Sequence, residues 1–199
     1  MDWRSGSLFA VLAPAALVLA FALRPGVAAG AARGAAAQTA AAPAASARDS
    51  AALNDLLDEV RMEAGQLDVD AEALLFMDRS PVFRQAHATE LNVIRDHINE
   101  IGKLEQRMRD ARSSGSAWQQ DTVDRVGPLL RQMAENLENA IQHYNRTRHV
   151  GHTGPYADYL QANADLARRL HAMVSDAVQY GKAKAAYDAR RTQAEPGQH

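Results

Sequence analysis

The sequence predicts an all-α fold, an antiparallel bundle of three to four long helices preceded by a signal or anchor segment and an alanine-rich spacer. Of the 199 residues, 47% are hydrophobic with many alanines, while only 6% are aromatic, and this composition favours helices over sheets. From residue 49 onward, apolar residues recur at intervals of three and four, the period of a helix face. Short polar connections separate these segments, so the helices must bury their apolar faces against one another.

Residues 1–29 are predicted to be a signal peptide or a membrane anchor. An uncharged apolar run occupies residues 8–23, and as a helix it would be ~24 Å long, against ~30 Å for the hydrocarbon core of a membrane. Its length and the interruption by Pro14 favour a cleaved signal peptide. Asp2 and Arg24 favour the alternative, in which residues 8–23 remain as an anchor in the inner membrane. In both cases we expect the rest of the chain to be periplasmic or secreted.

Residues 30–48 consist mostly of alanine and other small residues, and they offer no apolar face for a neighbouring element to cover. Such a segment is typical of a flexible spacer. We therefore expect the helical bundle to occupy residues 49–190, followed by a polar tail at residues 191–199.

The first predicted helix begins at Asp49 or Ser50, which are both favourable N-cap residues. Residues 74–77 are apolar as well, and the sequence leaves open whether they continue this helix or form a short segment capped by Asp68 or Asp70. The apolar stripe of the first helix consists of Leu53, Leu56, Leu57, Val60, Ala64 and Leu67.

The second predicted helix runs from Ser80 and Pro81 to about Arg112, since proline at the first helical position costs no hydrogen bond. A turn at residues 113–115 ends it. We expect its isoleucines to interdigitate with the apolar residues of the third helix. Its stripe consists of Phe83, His87, Leu91, Ile94, Ile98, Ile101, Leu104 and Met108.

Ser116 and Gln119 have the spacing of a capping box, which predicts the start of a third helix. Pro128 lies inside this helix and predicts a kink or a short break near Arg125, because proline cannot donate to the carbonyl four residues before it. Steps of three and four alternate along the helix, as in a coiled coil. The residues at these steps are Val123, Val126, Leu130, Met133, Leu137, Ile141 and Tyr144.

A fourth helix is predicted after the polar residues 145–154. It begins at about Pro155 and loses its apolar pattern through Tyr187. Its apolar residues are Tyr159, Leu160, Leu166, Leu170, Met173, Val174, Ala177 and Val178.

Charge and cysteine content narrow the classes of function. Without residues 1–48, which hold four arginines and Asp2, the chain keeps 18 basic and 23 acidic side chains, a net charge of −5. A surface of this sign disfavours nucleic acid as a partner. The chain has no cysteine, which excludes lipoprotein acylation, disulfides, c-type haem attachment and thiolate metal sites.

His87, Glu90 and His97 lie on or near the apolar face of the second helix, with Glu90 between the two histidines, and they are the first candidates for a metal or haem site. A carboxylate-bridged dimetal site requires Glu-x-x-His on two helices, whereas this chain has His-x-x-Glu once. A b-type haem requires a second inward-facing ligand from another helix, for which His171 is the nearest candidate. The pattern favours core or boundary histidines that bond to Glu90 or to a neighbouring helix. We therefore predict no metal, no cofactor and no ligand residues for either.

His149 and His152 belong to a basic loop where two imidazoles would hold a surface metal ion only weakly, because a third ligand is missing nearby. The signatures of serine hydrolases and of phosphate-binding loops are absent from the sequence. We predict no catalytic residues and no enzymatic activity. Five aromatic residues offer a surface for a partner or for peptidoglycan sugars, although covering the bundle ends is the favoured role: Trp118, Tyr144, Tyr156, Tyr159 and Tyr180.

Five short segments resemble exported helical proteins of bacteria whose roles are uncharacterised. The segments are SAWQQ (116–120), VGPLL (126–130), AI (140–141), YADY (156–159) and DAVQYGK (176–182). The resemblance extends over most of the predicted bundle. It implies a shared helical fold and export, and it brings no activity, ligand or catalytic residue with it.

Together these observations predict a non-enzymatic exported bundle that acts by protein binding or structural support in the cell envelope. Its expected partner is an envelope protein, with no nucleic acid and with membrane contact only through residues 1–29 if they stay uncleaved. The alternative is a bundle that binds haem or a metal through His87 and His97.

Overall fold

The computed structural model describes residues 49–78, 84–147 and 154–194. Within these ranges the chain forms four α-helices and no strand, which confirms the all-α prediction. A short 3₁₀ turn at Arg112–Ser114 follows the second helix. The helices are α1 at Ala51–Asp78, α2 at Arg84–Ala111, α3 at Ala117–Arg146 and α4 at Pro155–Ala194.

The four helices form an antiparallel bundle in which each helix packs against two others. α1 lies between α2 and α4, and α3 lies between the same two helices on the other side. The starts of α1 and α3 meet α4 near Lys184 at one end of the bundle, where Ser50 bonds to Gln119 and Asp49 pairs with Lys184. The start of α2 meets the start of α4 at the other end, where His87 contacts Tyr156. We call these the Asp49 end and the His87 end.

All four helices contribute to one hydrophobic core. The isoleucines of α2 and the predicted seam of α3 are buried in it, as their helical spacing requires. Burying one such aliphatic side chain contributes about 1.5–3 kcal/mol, and this gain offsets the entropy lost on ordering the chain. The largest fully buried hydrophobic side chains are Leu53, Leu57, Leu67, Leu74, Leu91, Ile94, Ile101, Met108, Met133, Tyr156 and Leu170.

Ser50 caps α1, as its position in the sequence predicts. Its Oγ accepts a hydrogen bond from the N–H of Leu53 at 3.4 Å, and its carbonyl accepts one from Asn54 at 3.1 Å. α1 then continues without interruption to Asp78, so residues 74–77 belong to this helix and no separate segment begins at Asp68 or Asp70.

The capping box at the start of α3 is confirmed, with the Ser116 N–H donating to Gln119 Oε1 at 3.0 Å. Of the two predicted alternatives near Arg125, a short break is wrong, because α3 passes through Pro128 as one helix, and a kink stays a prediction. Pro128 is exposed, so its ring faces solvent, and the residues on either side of it are held in the core. This burial offsets the missing hydrogen bond.

α4 begins at Pro155 as predicted and extends to Ala194. Its residues 185–194 are all exposed. The predicted signal segment, the spacer, Ser80, Pro81, Phe83, His149 and His152 lie outside the described residues. None of the helices in the described ranges is long and apolar enough to cross a membrane.

Candidate functional site

α2 carries both histidines of the predicted haem or metal alternative, and the structure places them in different surroundings. They are ten residues apart, which separates them by about 15 Å along the helix axis. His87 is buried at the His87 end, whereas His97 lies in the middle of α2 and is partly exposed. The structure therefore does not bring the two histidines together around one ion or one haem.

His87 belongs to a buried aromatic cluster that joins α2, α3 and α4. Its Nδ1 is 3.2 Å from the hydroxyl of Tyr156, whose residue is 1% exposed. His143 stacks on the Tyr156 ring with centroids 6.0 Å apart, and Tyr144 lies against the same ring at 6.4 Å. Buried polar groups need such partners, and aromatic rings prefer such offset or tilted contacts. This environment is that of a core histidine.

His97 is held between two carboxylates of α1. Its Nδ1 is 2.5 Å from Glu63 Oε1, and its Nε2 is 2.9 Å from Asp70 Oδ2. An ionised carboxylate only accepts hydrogen bonds, so both contacts are donor contacts when the ring carries both protons. We call His97, Glu63 and Asp70 the His97 clamp, and it attaches α2 to α1. The predicted bond to a neighbouring helix is confirmed.

Glu90 lies beside the His97 clamp. Burial raises the pKa of its carboxyl above the ordinary value, the charge of Asp70 raises it further, and His97 acts in the opposite direction. Glu63 and Asp70 contact different nitrogens at opposite edges of the imidazole ring. The two carboxylates and one ring nitrogen therefore cannot bind the same metal ion. Across the described ranges, no group of three or more histidine, aspartate or glutamate side chains is arranged to hold a metal ion.

His171, the predicted second haem ligand, faces α1 from the opposite side. Its Nδ1 is 3.5 Å from Asp68 Oδ2, and its ring lies over Gly65, where a β-carbon would be 3.3 Å from Nε2. α1 therefore separates His171 from His97. The structure does not combine the histidines of α2 and α4 into one site.

The outward face of α1 carries three exposed hydrophobic side chains that we call the outer strip: Met62, Val69 and Phe76. They are 61%, 60% and 66% exposed. Seven residues turn an α-helix to within ~20° of two full turns, so the three side chains share an arc of about 40°. Single exposed hydrophobic residues are ordinary on protein surfaces, and these three differ from scattered ones in sharing one helix face at a seven-residue spacing.

The acidic residues beside the outer strip are turned toward the neighbouring helices. On the α2 side, Glu63 and Asp70 meet the imidazole of His97. On the α4 side, Asp68 lies next to His171, and Glu72 pairs with Arg168. Glu72 thus faces a guanidinium, and the other three carboxylates face two imidazoles, so the outer strip lies between two rows of carboxylates that contact neighbouring helices.

The Asp49 end is fastened by a fully buried glutamine. Gln119 Oε1 accepts from the backbone N–H groups of Ser50 and Ser116, at 2.9 and 3.0 Å. Its Nε2 donates to the carbonyl of Ser50 at 2.9 Å and to Asn54 Oδ1 at 2.8 Å. All four hydrogen-bonding positions of the amide are used, and this satisfies a group that would otherwise be costly to bury.

Asp49 adds a second fastening at the same end. Its Oδ1 accepts from Trp118 Nε1 at 2.8 Å, and its Oδ2 is 3.1 Å from Lys184 Nζ. Burial by itself raises the pKa of Asp49, but hydrogen bonds from Ser116, Trp118 and Lys184 outweigh it and hold the pKa below the ordinary value. Asp49, the first residue that the structure describes, is therefore bound to both α3 and α4.

Glu105 is a buried carboxylate on α2, only 6% exposed. Burial raises its pKa above the ordinary value, against the opposing effect of Arg109 and Arg131. Arg109 lies 2.9 Å from Glu105 Oε2. A β-carbon on Gly127 would be 2.7 Å from Glu105 Oε1, so the glycine of α3 provides the space for this carboxylate.

The predicted aromatic surface is divided between the two ends of the bundle. Trp118 and Tyr180 meet edge to face at the Asp49 end with centroids 5.5 Å apart, and Tyr180 is 54% exposed. Tyr144 and Tyr156 are buried at the His87 end, and Tyr159 packs partly buried against the core. The alternative of one continuous aromatic surface is therefore wrong, whereas the favoured role of covering the bundle ends agrees with these positions.

Sequence reasoning missed the outer strip and the His97 clamp. The search for core residues follows the densest apolar face, and the outer strip lies on the opposite side of α1. A separate search for a sparse seven-residue repeat would find Met62, Val69 and Phe76. The partners of His97 are 34 and 27 residues away on another helix, and only the packing of α1 on α2 brings them together.

The sequence was compared with protein-family models, with curated proteins and with solved structures, and none of them matches.

Proposed function

We propose that this chain is a non-enzymatic, exported helical bundle that acts by protein binding or structural support in the cell envelope. The observation that carries the proposal is the outer strip of α1, three hydrophobic side chains in line and each at least 60% exposed. A partner helix laid along this row would remove its exposed apolar surface from water, which is favourable.

The titratable side chains support a binding role. His87 is used in core packing, His97 and His171 contact carboxylates of α1, and Glu105 lies beside Arg109. The three histidines connect helices to one another, and Glu105 pairs with an arginine of its own helix. Export is supported by the apolar residues 8–23 and the small-residue spacer in the sequence.

Location is tested by fusing residues 1–48 to alkaline phosphatase, which becomes active only outside the cytoplasm. We expect active fusions with the natural segment and inactive fusions when two residues of the apolar run 8–23 are replaced by aspartate. An inactive fusion with the natural segment would contradict export.

Binding is tested in the cells that make the protein, with a photo-crosslinking amino acid at Val69. The same amino acid at Gln132, an exposed position on α3, is the matched control. We expect an adduct with an identified envelope protein at position 69 only, and its loss when Met62 is also replaced by aspartate. The same adducts at both positions, or none at position 69, would contradict binding through the outer strip.

A further inference from the structure

α4 continues past the last residues that it shares with the core. Val178 and Gly181 are buried, Lys184 meets Asp49 at 3.1 Å, and residues 185–194 are all exposed. We call residues 185–194 the α4 extension, and it adds about 15 Å of helix past the contact with Asp49. None of the other three helices in the described ranges covers it, so its side chains face outward from the bundle.

The α4 extension is supported as a helix by its own contacts. Asp188 Oδ2 lies 3.1 Å from Lys184 Nζ, four residues earlier, and Thr192 Oγ1 donates to the carbonyl of Asp188 at 3.0 Å. Four of its ten residues are alanine, the best helix former. Because a helix without tertiary contacts depends on such local terms, they keep the side chains of the α4 extension in fixed relative positions.

One face of α4 combines aromatic and cationic side chains at this end of the helix. Tyr180 is 54% exposed and Tyr187 is 66% exposed, and Arg190 and Arg191 are exposed as well. At ~100° per residue these four side chains fall within an arc of about 100°, and Tyr187 lies between the two arginines. We call them the α4 face. The buried Val178 lies on the opposite side of the helix.

The charge of this end of the chain is opposite to that of the rest of the bundle. Residues 180–199 carry four basic and two acidic side chains, a net charge of +2, whereas residues 49–179 carry a net charge of −7. Asp188, the acidic residue of the α4 extension, pairs with Lys184. An anionic surface therefore attracts the α4 extension and repels the body of the bundle, which orients the chain with the Asp49 end toward that surface.

The chain enters the bundle beside the α4 extension. Asp49 pairs with Lys184, and residues 24–48 connect Asp49 to the apolar run at residues 8–23. Where this run stays in a membrane as an anchor, it is joined to the bundle at the same end that carries the α4 face. The α4 face then lies next to the point of attachment.

We propose that the α4 face binds an anionic phospholipid surface. Tyr187 places its ring at the level of the lipid headgroups, where tyrosine is enriched, and Arg190 and Arg191 bind lipid phosphates on either side of it. Two arginines give a modest attraction, so the contact is reversible and is strongest where residues 8–23 already hold the chain at a membrane. The inference goes beyond the proposed function, because the α4 face is separate from the outer strip.

The absence of natural cysteine allows a single fluorophore to report on this contact in the full chain. Ala194→Cys places the fluorophore at the exposed end of the α4 extension, and Gln132→Cys, at an exposed position on α3, is the matched control. The chain is reconstituted in phosphatidylcholine vesicles with and without phosphatidylglycerol, and a spin-labelled lipid quenches any fluorophore that touches the bilayer surface. We expect strong quenching at position 194 only with phosphatidylglycerol, loss of it in high salt, and little quenching at position 132.

A charge reversal separates the α4 face from the charge of the whole chain. Arg191→Glu should lower the equilibrium constant for contact with the anionic vesicles about tenfold, since an attraction is replaced by a repulsion. Arg169→Glu changes the net charge equally on the same side of α4, about 33 Å earlier along the helix, and should leave quenching at position 194 unchanged. Both arginines are exposed, so circular dichroism melts should match the natural protein and exclude misfolding.

Three results would overturn the inference. Equal quenching at position 194 with and without phosphatidylglycerol would show that anionic lipid is not recognised. Equal effects of Arg191→Glu and Arg169→Glu would show that only the net charge matters. Quenching at position 132 as strong as at position 194 would show that another surface meets the bilayer. Photo-crosslinking at Val69 tests the outer strip independently, so the proposed function and this inference can each fail without the other.

Discussion

The indole of Trp118 lies directly against Gly181, so that a β-carbon at position 181 would be 2.8 Å from Cη2 of the ring. Gly181 is buried on α4, and the close approach connects α3 to α4 near the Asp49 end. Because a rigid ring cannot move aside as a flexible side chain does, this glycine is required by packing.

Gly181→Ala should destabilise the bundle by about 1–3 kcal/mol, the usual cost of overpacking a filled site. The matched control is Gly102→Ala on α2, where a β-carbon would meet nothing within 4 Å. That change should stabilise by about 0.5–1 kcal/mol, since alanine is the better helix former. Urea unfolding measures both changes, and equal effects would contradict the Trp118 contact.

Ile98→Ala should cost about 2–5 kcal/mol, the range for removing a buried aliphatic side chain and leaving a cavity. Ile98 is 4% exposed in the core that α2 shares with the other helices. Its exposed neighbour Asn99 provides the control, and Asn99→Ala should change the free energy of unfolding by less than about 0.5 kcal/mol. A small loss in the free energy of unfolding for Ile98→Ala would show that α2 is rotated about its axis and presents a different face to the core.

His97→Gln should cost about 1–3 kcal/mol, because an amide cannot replace the two ring nitrogens at both edges and leaves a carboxylate without its hydrogen-bond partner. A double-mutant cycle with Asp70→Asn isolates the contact. The two changes together should cost less than their sum, because the second removes a carboxylate that the first leaves unpaired. Additive losses would show that the clamp contributes no coupling.

Glu105 should give the bundle a distinctive pH dependence. Its folded pKa is raised by burial, so between the ordinary value of 4.5 and the folded pKa the folded state binds more protons than the unfolded state. Its contribution to stability is therefore fullest below pH 4.5 and declines as the pH rises through the folded pKa.

The natural protein should lose stability relative to Glu105→Gln as the pH rises above 4.5, because the other titrating groups contribute equally to both proteins and cancel in the difference. Urea titrations at several pH values measure it. Glu135→Gln, at an exposed position on α3, is the control. An unchanged or rising difference would show that Glu105 is not buried as a costly carboxylate.

Asp49 should affect the pH dependence of stability in the opposite direction to Glu105, and in a more acidic range. Its folded pKa is lowered, since hydrogen bonds from Ser116, Trp118 and Lys184 outweigh the effect of burial. Its contribution is present above the ordinary value of 3.8 and is lost as the pH falls through the folded pKa. Asp49→Asn should reduce the slope of stability against pH below about pH 4. An unchanged acid slope would contradict the Asp49 fastening.

The helical architecture follows from the sequence because the period of the apolar residues is a local property. Leu53 and Ile98 are buried where their stripes predict, and Ser50 caps the helix that follows it. The break predicted at Pro128 is absent from α3, because packing on both sides of the proline outweighs its local preference against a helix interior. A local preference in the sequence therefore mispredicts the structure where tertiary contacts contribute more free energy than the local preference does.

The contacts between helices are harder to predict. The register of α1 on α2 selects Glu63 and Asp70 as the partners of His97, and no spacing within either helix specifies that register. Gly127 likewise accommodates a carboxylate from α2, which no sequence pattern around position 127 indicates. Such features depend on the summed packing of many side chains.

The fastening of Ser50 by Gln119 has a mechanical consequence. A pull applied through the N-terminal segment enters the bundle at Asp49 and Ser50, which are bonded to α3 and, through Lys184, to α4. The load is therefore divided among three helices at its point of entry, and peeling α1 away from its first turn requires the bonds of Gln119 and Asp49 to break together. A chain tethered at its start would resist such a pull more strongly than one pulled from the exposed end of α4 at residues 185–194, where force would act on one helix alone.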